Sequence, residues 1–75
     1  MEPKYVLILD YCIGALNIIE LTDEEINKSF SYDDFESFLM TIEEKYGFRI
    51  KDCSWMVTKE LNIYEYKDGK EVNHA

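Results

Sequence analysis

Carboxylates are the most abundant chemically capable side chains in this 75-residue chain, and they are not spread evenly. Nine of the sixteen fall within residues 20–44: Glu20, Asp23, Glu24, Glu25, Asp33, Asp34, Glu36, Glu43 and Glu44, against the single base Lys28. That balance of −8 equals the formal charge of the whole chain, and the remaining fifty residues carry seven acids and seven bases. Three kinds of chemistry use clustered acids. A calcium loop needs oxygens at alternate positions, a glycine at the sixth and a glutamate at the twelfth, and neither acidic run offers that pattern. A catalytic pair needs two carboxylates in unlike environments, one of them desolvated. These acids fall on the polar side of expected helices, where water solvates them. The third use is mimicry of a nucleic-acid backbone. The plainer reading is a charged helix face that keeps a small protein soluble, with Asp23, Glu24, Glu25, Asp33, Glu36, Glu43 and Glu44 open to a partner.

Other chemistries lack their groups. The only histidine is His74, next to last in the chain, and no Cys/His spacing suits a zinc site. Cys12 and Cys53 have no neighbouring base to activate a thiolate, and a pair of cysteines in so short a chain reads as free thiols rather than a disulfide framework. Asp10 is the one acid inside an otherwise apolar strand. It is read as a register or anti-aggregation device at an edge. Gly14, Gly47 and Gly69 are isolated, so no phosphate-cradling loop is present. The expectation is a chain with no catalytic residues, no metal and no cofactor.

Composition narrows the class. A chain that is 47% hydrophobic with eleven aromatics is too apolar to stay disordered, and 75 residues make one domain with a marginal core. No apolar run is long enough for a transmembrane helix, and the N-terminal residues lack a signal-peptide pattern. These features point to a cytoplasmic location and to no membrane partner. The negative charge repels phosphate backbones, so direct nucleic-acid binding is not expected.

The elements that position these groups follow from local rules. Residues 4–11 and 16–21 are rich in β-branched and aromatic types and are separated by residues 12–15, with Gly14 suited to positive φ; they read as a β-hairpin. Thr22 and Glu25 form a capping box, with Leu21 and Ile26 as a hydrophobic staple, for a short helix over 23–28. The main helix is expected over 32–46, with Ser31 as N-cap and Phe30 stapled to Phe35. Its apolar stripe is Phe35, Phe38, Leu39, Ile42 and Tyr46, with Met40 off-centre. Lys45 suits the last turn, Gly47 the left-handed position after it, and Phe48 the fold-back beyond. Residues 53–58 and 61–66 read as further strands, either paired or continuous. Asp68-Gly69 is a good turn, but the few residues after it point to a frayed tail over 70–75.

The resulting fold class is α+β: a single, mostly antiparallel sheet in the order β-β-α-β-β, with one main amphipathic helix on one face. Along the first strand Tyr5, Leu7 and Leu9 alternate with Val6 and Ile8, so both faces are apolar. One helix covers one face, and the other needs a cover. Val6 and Ile8, with Tyr64 and Tyr66, are the expected interface of a homodimer. A stacking platform of Trp55, Tyr64 and Tyr66 lacks the basic residues that nucleic-acid binders set around their aromatics; core packing is the expectation for Trp55. The functional expectation is a non-catalytic protein-interaction module that self-associates through an apolar sheet face and presents an acidic helical surface suited to a basic protein. The alternative is an acidic inhibitor that occupies the basic groove of a DNA- or RNA-binding enzyme.

Overall fold

Strand β1 (Tyr5–Asp10) lies at the centre of the structure, a computed structural model that describes residues 3–72. It pairs antiparallel with β2 (Ala15–Glu20) on one side and with β3 (Cys53–Thr58) on the other, giving the order β2-β1-β3. The hairpin closes as its residues dictate. Gly14 takes φ +63°, and the Asp10 carboxylate accepts a 2.9 Å hydrogen bond from the Cys12 N–H within the loop. Asp10 therefore shapes the turn at the end of a central strand. It is not a guard on an edge strand.

Two helices pack on one face of this sheet. Helix α1 (Asp23–Ser29) starts with the expected capping box: Thr22 N–H donates to Glu25 Oε1 at 2.9 Å and Glu25 N–H donates to Thr22 Oγ1 at 3.1 Å. Helix α2 (Phe35–Tyr46) begins three residues later than its spacing predicts. Its N-cap is Asp34, which accepts from Ser37 N–H at 2.7 Å, and not Ser31. The Ser31 hydroxyl instead donates to Lys28 O at 2.7 Å, while the amides of Ser31 and Tyr32 bond back to Lys28 and Ser29. The unwinding end of α1 thus occupies Ser31, and Phe30 stays exposed and staples nothing. At the other end Gly47 adopts φ +76°, and the N–H groups of Gly47 and Phe48 both donate to Glu43 O. This closure returns Phe48 to the core. A single 3-10 turn, Ile50–Asp52, then leads into β3.

The core is one apolar layer between sheet and helices. Val6, Ile8 and Ile19 from the sheet meet Ile26 of α1 and Phe38, Leu39 and Ile42 of α2, closed by Leu21, Phe48 and Ile50. Phe35 sits between Phe38 and Trp55, with ring centroids 5.4 and 5.7 Å apart, so Trp55 packs inward as expected.

Past Thr58 the chain leaves this sheet. Residues 61–66 do not add a fourth strand to it. Instead β4 (Glu65–Lys67) pairs with β5 (Lys70–Val72) in a separate two-stranded ribbon. Asp68 (φ +54°) and Gly69 (φ +75°) form its two-residue turn, the left-handed pair that suits a tight hairpin. That turn orders Lys70–Val72, where a frayed end is expected from the sequence; residues 73–75 lie outside the described part. Among the described residues the fold is therefore a small α+β one, with sheets of three and two strands and two α-helices.

Leu39 is fully buried within the layer between sheet and helices, so Leu39→Ala should cost about 2–5 kcal/mol through the cavity it leaves. Urea melts check this. The same melts compare the caps: Asp34→Ala should lower the midpoint by more than Ser31→Ala, and the reverse order would return the N-cap to Ser31.

Candidate functional site

The β1 register decides which side chains share a face. Leu7 is opposite Ile18 on β2 and Met56 on β3, and Leu9 is opposite Leu16 and Ser54. These residues lie on the face turned away from the helices. Leu9 is 48% exposed, Leu16 55%, Ile18 42% and Met56 55%. A shallow depression of about 180 Å3 runs among Leu7, Leu9, Leu16 and Met56. The only charged side chain at this face's rim on β2, Glu20, lies 3.5 Å from Lys4 Nζ.

The expected interface residues divide differently. Val6 and Ile8 are wholly buried, opposite Ile19 and Asn17 on β2 and Val57 and Trp55 on β3, under the helices. They cannot serve as an interface. The alternation was legible, but the helices cover the Val6/Ile8 side and leave the Leu7/Leu9 side bare. Neither face is polar enough to tell them apart by composition: Asp10 and Asn17 fall on the covered face, Glu20 and Ser54 on the open one. The one available signal was Trp55, whose bulk favours the packed side and whose neighbour Met56 then faces outward. Tyr64 and Tyr66 are exposed, as expected, but on the segment leading into and forming the ribbon rather than beside Val6 and Ile8. The structure does not unite Trp55 with Tyr64 and Tyr66.

The acidic surface is also reduced. Asp23, Glu24, Asp33, Glu36 and Glu44 are exposed. Glu25 is not: it retains 8% of its accessible surface and sits at the junction of the two helices. Besides the Thr22 amide it accepts from the Tyr46 hydroxyl (2.9 Å to Oε2) and from Lys45 Nζ (3.2 Å). Burial pushes the Glu25 carboxyl up, but the bonds from Thr22, Tyr46 and Lys45 together outweigh it and hold it below its ordinary value. Burial, and then the bond to Glu25, push the Tyr46 hydroxyl up, while the bond to Glu25 raises Lys45. Glu43 is half-buried and accepts a 2.6 Å hydrogen bond from Ile50 N–H, which fixes the return from α2 toward β3. Both residues are structural. The Thr22–Glu25 bond was legible as a capping box, but the bonds of Glu25 to Lys45 and Tyr46 and of Glu43 to Ile50 join separate elements, so no local pattern announced them.

The cysteines are free, Cys12 exposed and Cys53 half-buried. Burial pushes the Cys53 thiol up, which disfavours the nucleophilic thiolate. Among the described residues no group of three or more His, Cys, Asp or Glu is placed to hold a metal ion, and no helix is long and apolar enough to cross a membrane. Compared with known proteins, the chain matches no family model, no curated protein and no solved structure.

Glu25→Ala should cost about 1–3 kcal/mol, because it leaves the Thr22 amide and the Tyr46 hydroxyl without their acceptor. The pH dependence has a definite sign. The folded pKa of Glu25 is depressed, so its stabilisation is whole above the ordinary value of 4.5 and drains away as pH falls through the lower folded value. Urea midpoints of wild type and Glu25→Gln should therefore differ at pH 7 and converge in acid. An unchanging difference would remove Glu25 from the acid transition.

Proposed function

We propose that this chain is a non-catalytic protein-interaction module that self-associates through the open face of its three-stranded sheet and turns its acidic helices outward. The observation that supports this reading is the run of half-exposed apolar side chains, Leu9, Leu16, Ile18 and Met56, on one continuous face. Apolar patches of a few hundred Å2 or more on a small protein mark interaction surfaces. A two-fold dimer lets such a patch meet its own copy.

Electrostatics favour this arrangement. The charge imbalance lies in residues 20–44, most of them in or beside the two helices on the other side of the sheet, so two copies can approach through their neutral sides. The exposed acids Asp23, Glu24, Asp33, Glu36 and Glu44 then remain free for a basic protein. Two free thiols suit a reducing compartment such as the cytoplasm. If the acids instead mimic a nucleic-acid backbone, association with the target weakens steeply with salt. Apolar sheet contact depends little on salt and carries a negative heat-capacity change.

Light scattering behind a sizing column tests this directly. At micromolar concentration the wild-type chain should elute near twice its 8.9 kDa mass. Ile18→Lys, placed on the open face, should elute as a monomer with an unchanged circular dichroism spectrum. A wild-type species at the mass of one chain would overturn self-association.

A further inference from the structure

The open sheet face is not the only part of this chain that exposes large apolar side chains. Every residue from 62 to 72 is exposed, including Ile63, Tyr64 and Tyr66, and none of them belongs to the buried core. The segment ends in the β4–β5 ribbon, with three residues in each strand. An isolated two-stranded hairpin is marginal in water and gains stability only by packing on something else. Here the tight Asp68-Gly69 turn fixes its shape without providing that support. The body of the domain is small, and the molecule is drawn out to 44 Å along its longest axis.

We infer that residues 59–72 form an exchange arm that lies across the open sheet face of a second copy of this chain, with Tyr64 and Tyr66 covering Leu9, Leu16 and Met56 of that copy. The inference rests on the self-association proposed above and specifies its geometry. Three observations converge on it. The first is area. The largest apolar patch of a small monomer covers roughly 300–600 Å2, so two bare sheet faces pressed together reach at best the lower edge of the roughly 1,200–2,000 Å2 of a stable complex. Two reciprocal arms, each bringing large aromatic surfaces, close that gap. The second is shape: the sheet face holds a shallow apolar depression, and the arm carries protruding rings. The third is charge. The arm carries Lys59, Lys67 and Lys70 against Glu60, Glu65, Asp68 and Glu71, so it is close to neutral and approaches a nearly uncharged face without repulsion. Tyrosine suits this role because it buries a large ring while its hydroxyl stays at the wet rim.

Two measurements on the full chain test the arm. In the first, the dissociation constant is measured by sedimentation equilibrium for wild type and for the double variant Tyr64→Ser/Tyr66→Ser. Both tyrosines are exposed, so the monomer fold is retained. The arm predicts dissociation at least tenfold easier in the variant. In the second, Met56→Cys chains and mass-tagged Tyr66→Cys chains, each lacking Cys12 and Cys53, are mixed and treated with a short bismaleimide. The arm predicts a product joining one chain of each kind. The proposal requires both results. A double variant that associates as tightly as wild type, or a Met56→Cys product linked only to itself, overturns the arm while self-association stands. Efficient closure within single chains carrying both Met56→Cys and Tyr66→Cys at high dilution shows the arm covering its own sheet, and overturns the exchange. A wild-type chain that stays monomeric overturns the arm and the self-association reading together.

Discussion

One apolar layer, a single side chain thick on each side, holds this molecule in shape. Val6 and Ile8 face Phe38 and Leu39, and everything else is arranged so that these four can lose their water. None of the supporting pieces is stable alone. Helix α1 has seven residues and α2 twelve, lengths at which an isolated helix is marginal. The β1–β2 hairpin is equally marginal without a third strand and a packed face. Each element therefore depends on the layer that it helps to build, and a chain of this size buries too small a fraction of its surface to build a second one. The bare sheet face is the direct consequence of that limit.

A polar clamp completes the helix pair. Glu25 joins the first turn of α1 to the last turn of α2 through Thr22, Tyr46 and Lys45, and Glu43 ties the end of α2 to the amide of Ile50. Removing a carboxylate from water is unfavourable unless several donors compensate it, and Glu25 has three. Among the described residues no buried side-chain nitrogen or oxygen lacks a hydrogen-bond partner. The acidic stretch thus has two roles. Glu25, Glu43 and the Asp34 cap hold the helices in place, Glu20 lies at the rim of the open face, and Asp23, Glu24, Asp33, Glu36 and Glu44 form a solvated surface.

This division gives the molecule two chemically distinct sides. Charge is concentrated over and between the helices, while the open sheet face is apolar and close to neutral. An apolar side of this kind provides attraction that salt barely screens, whereas the charged side provides long-range steering that salt abolishes. The two sides therefore suit different encounters.

Much of the local structure was legible in the residues. The Thr22–Glu25 capping box, the stripe from Phe35 to Tyr46, the Gly47 stop and the limits of β1, β2 and β3 all depend on interactions within one turn or one strand, where residue type and spacing are sufficient. Even there, Ser31 was read as the cap of α2, but the end of α1 engages it and Asp34 caps the helix instead. Alternation along β1 showed two apolar faces without telling them apart, because a strand presents both equally. Only the docking of residues some thirty positions away, Phe38 and Leu39, buried Val6 and Ile8 and left Leu7 and Leu9 outside. Contacts between separate elements likewise hid the ties of Glu25 to Lys45 and Tyr46 and of Glu43 to Ile50, and set the β4–β5 ribbon apart from the main sheet. Local propensity is encoded by neighbours in the chain, but the choice of which face loses its water is made by whole elements competing for one small core.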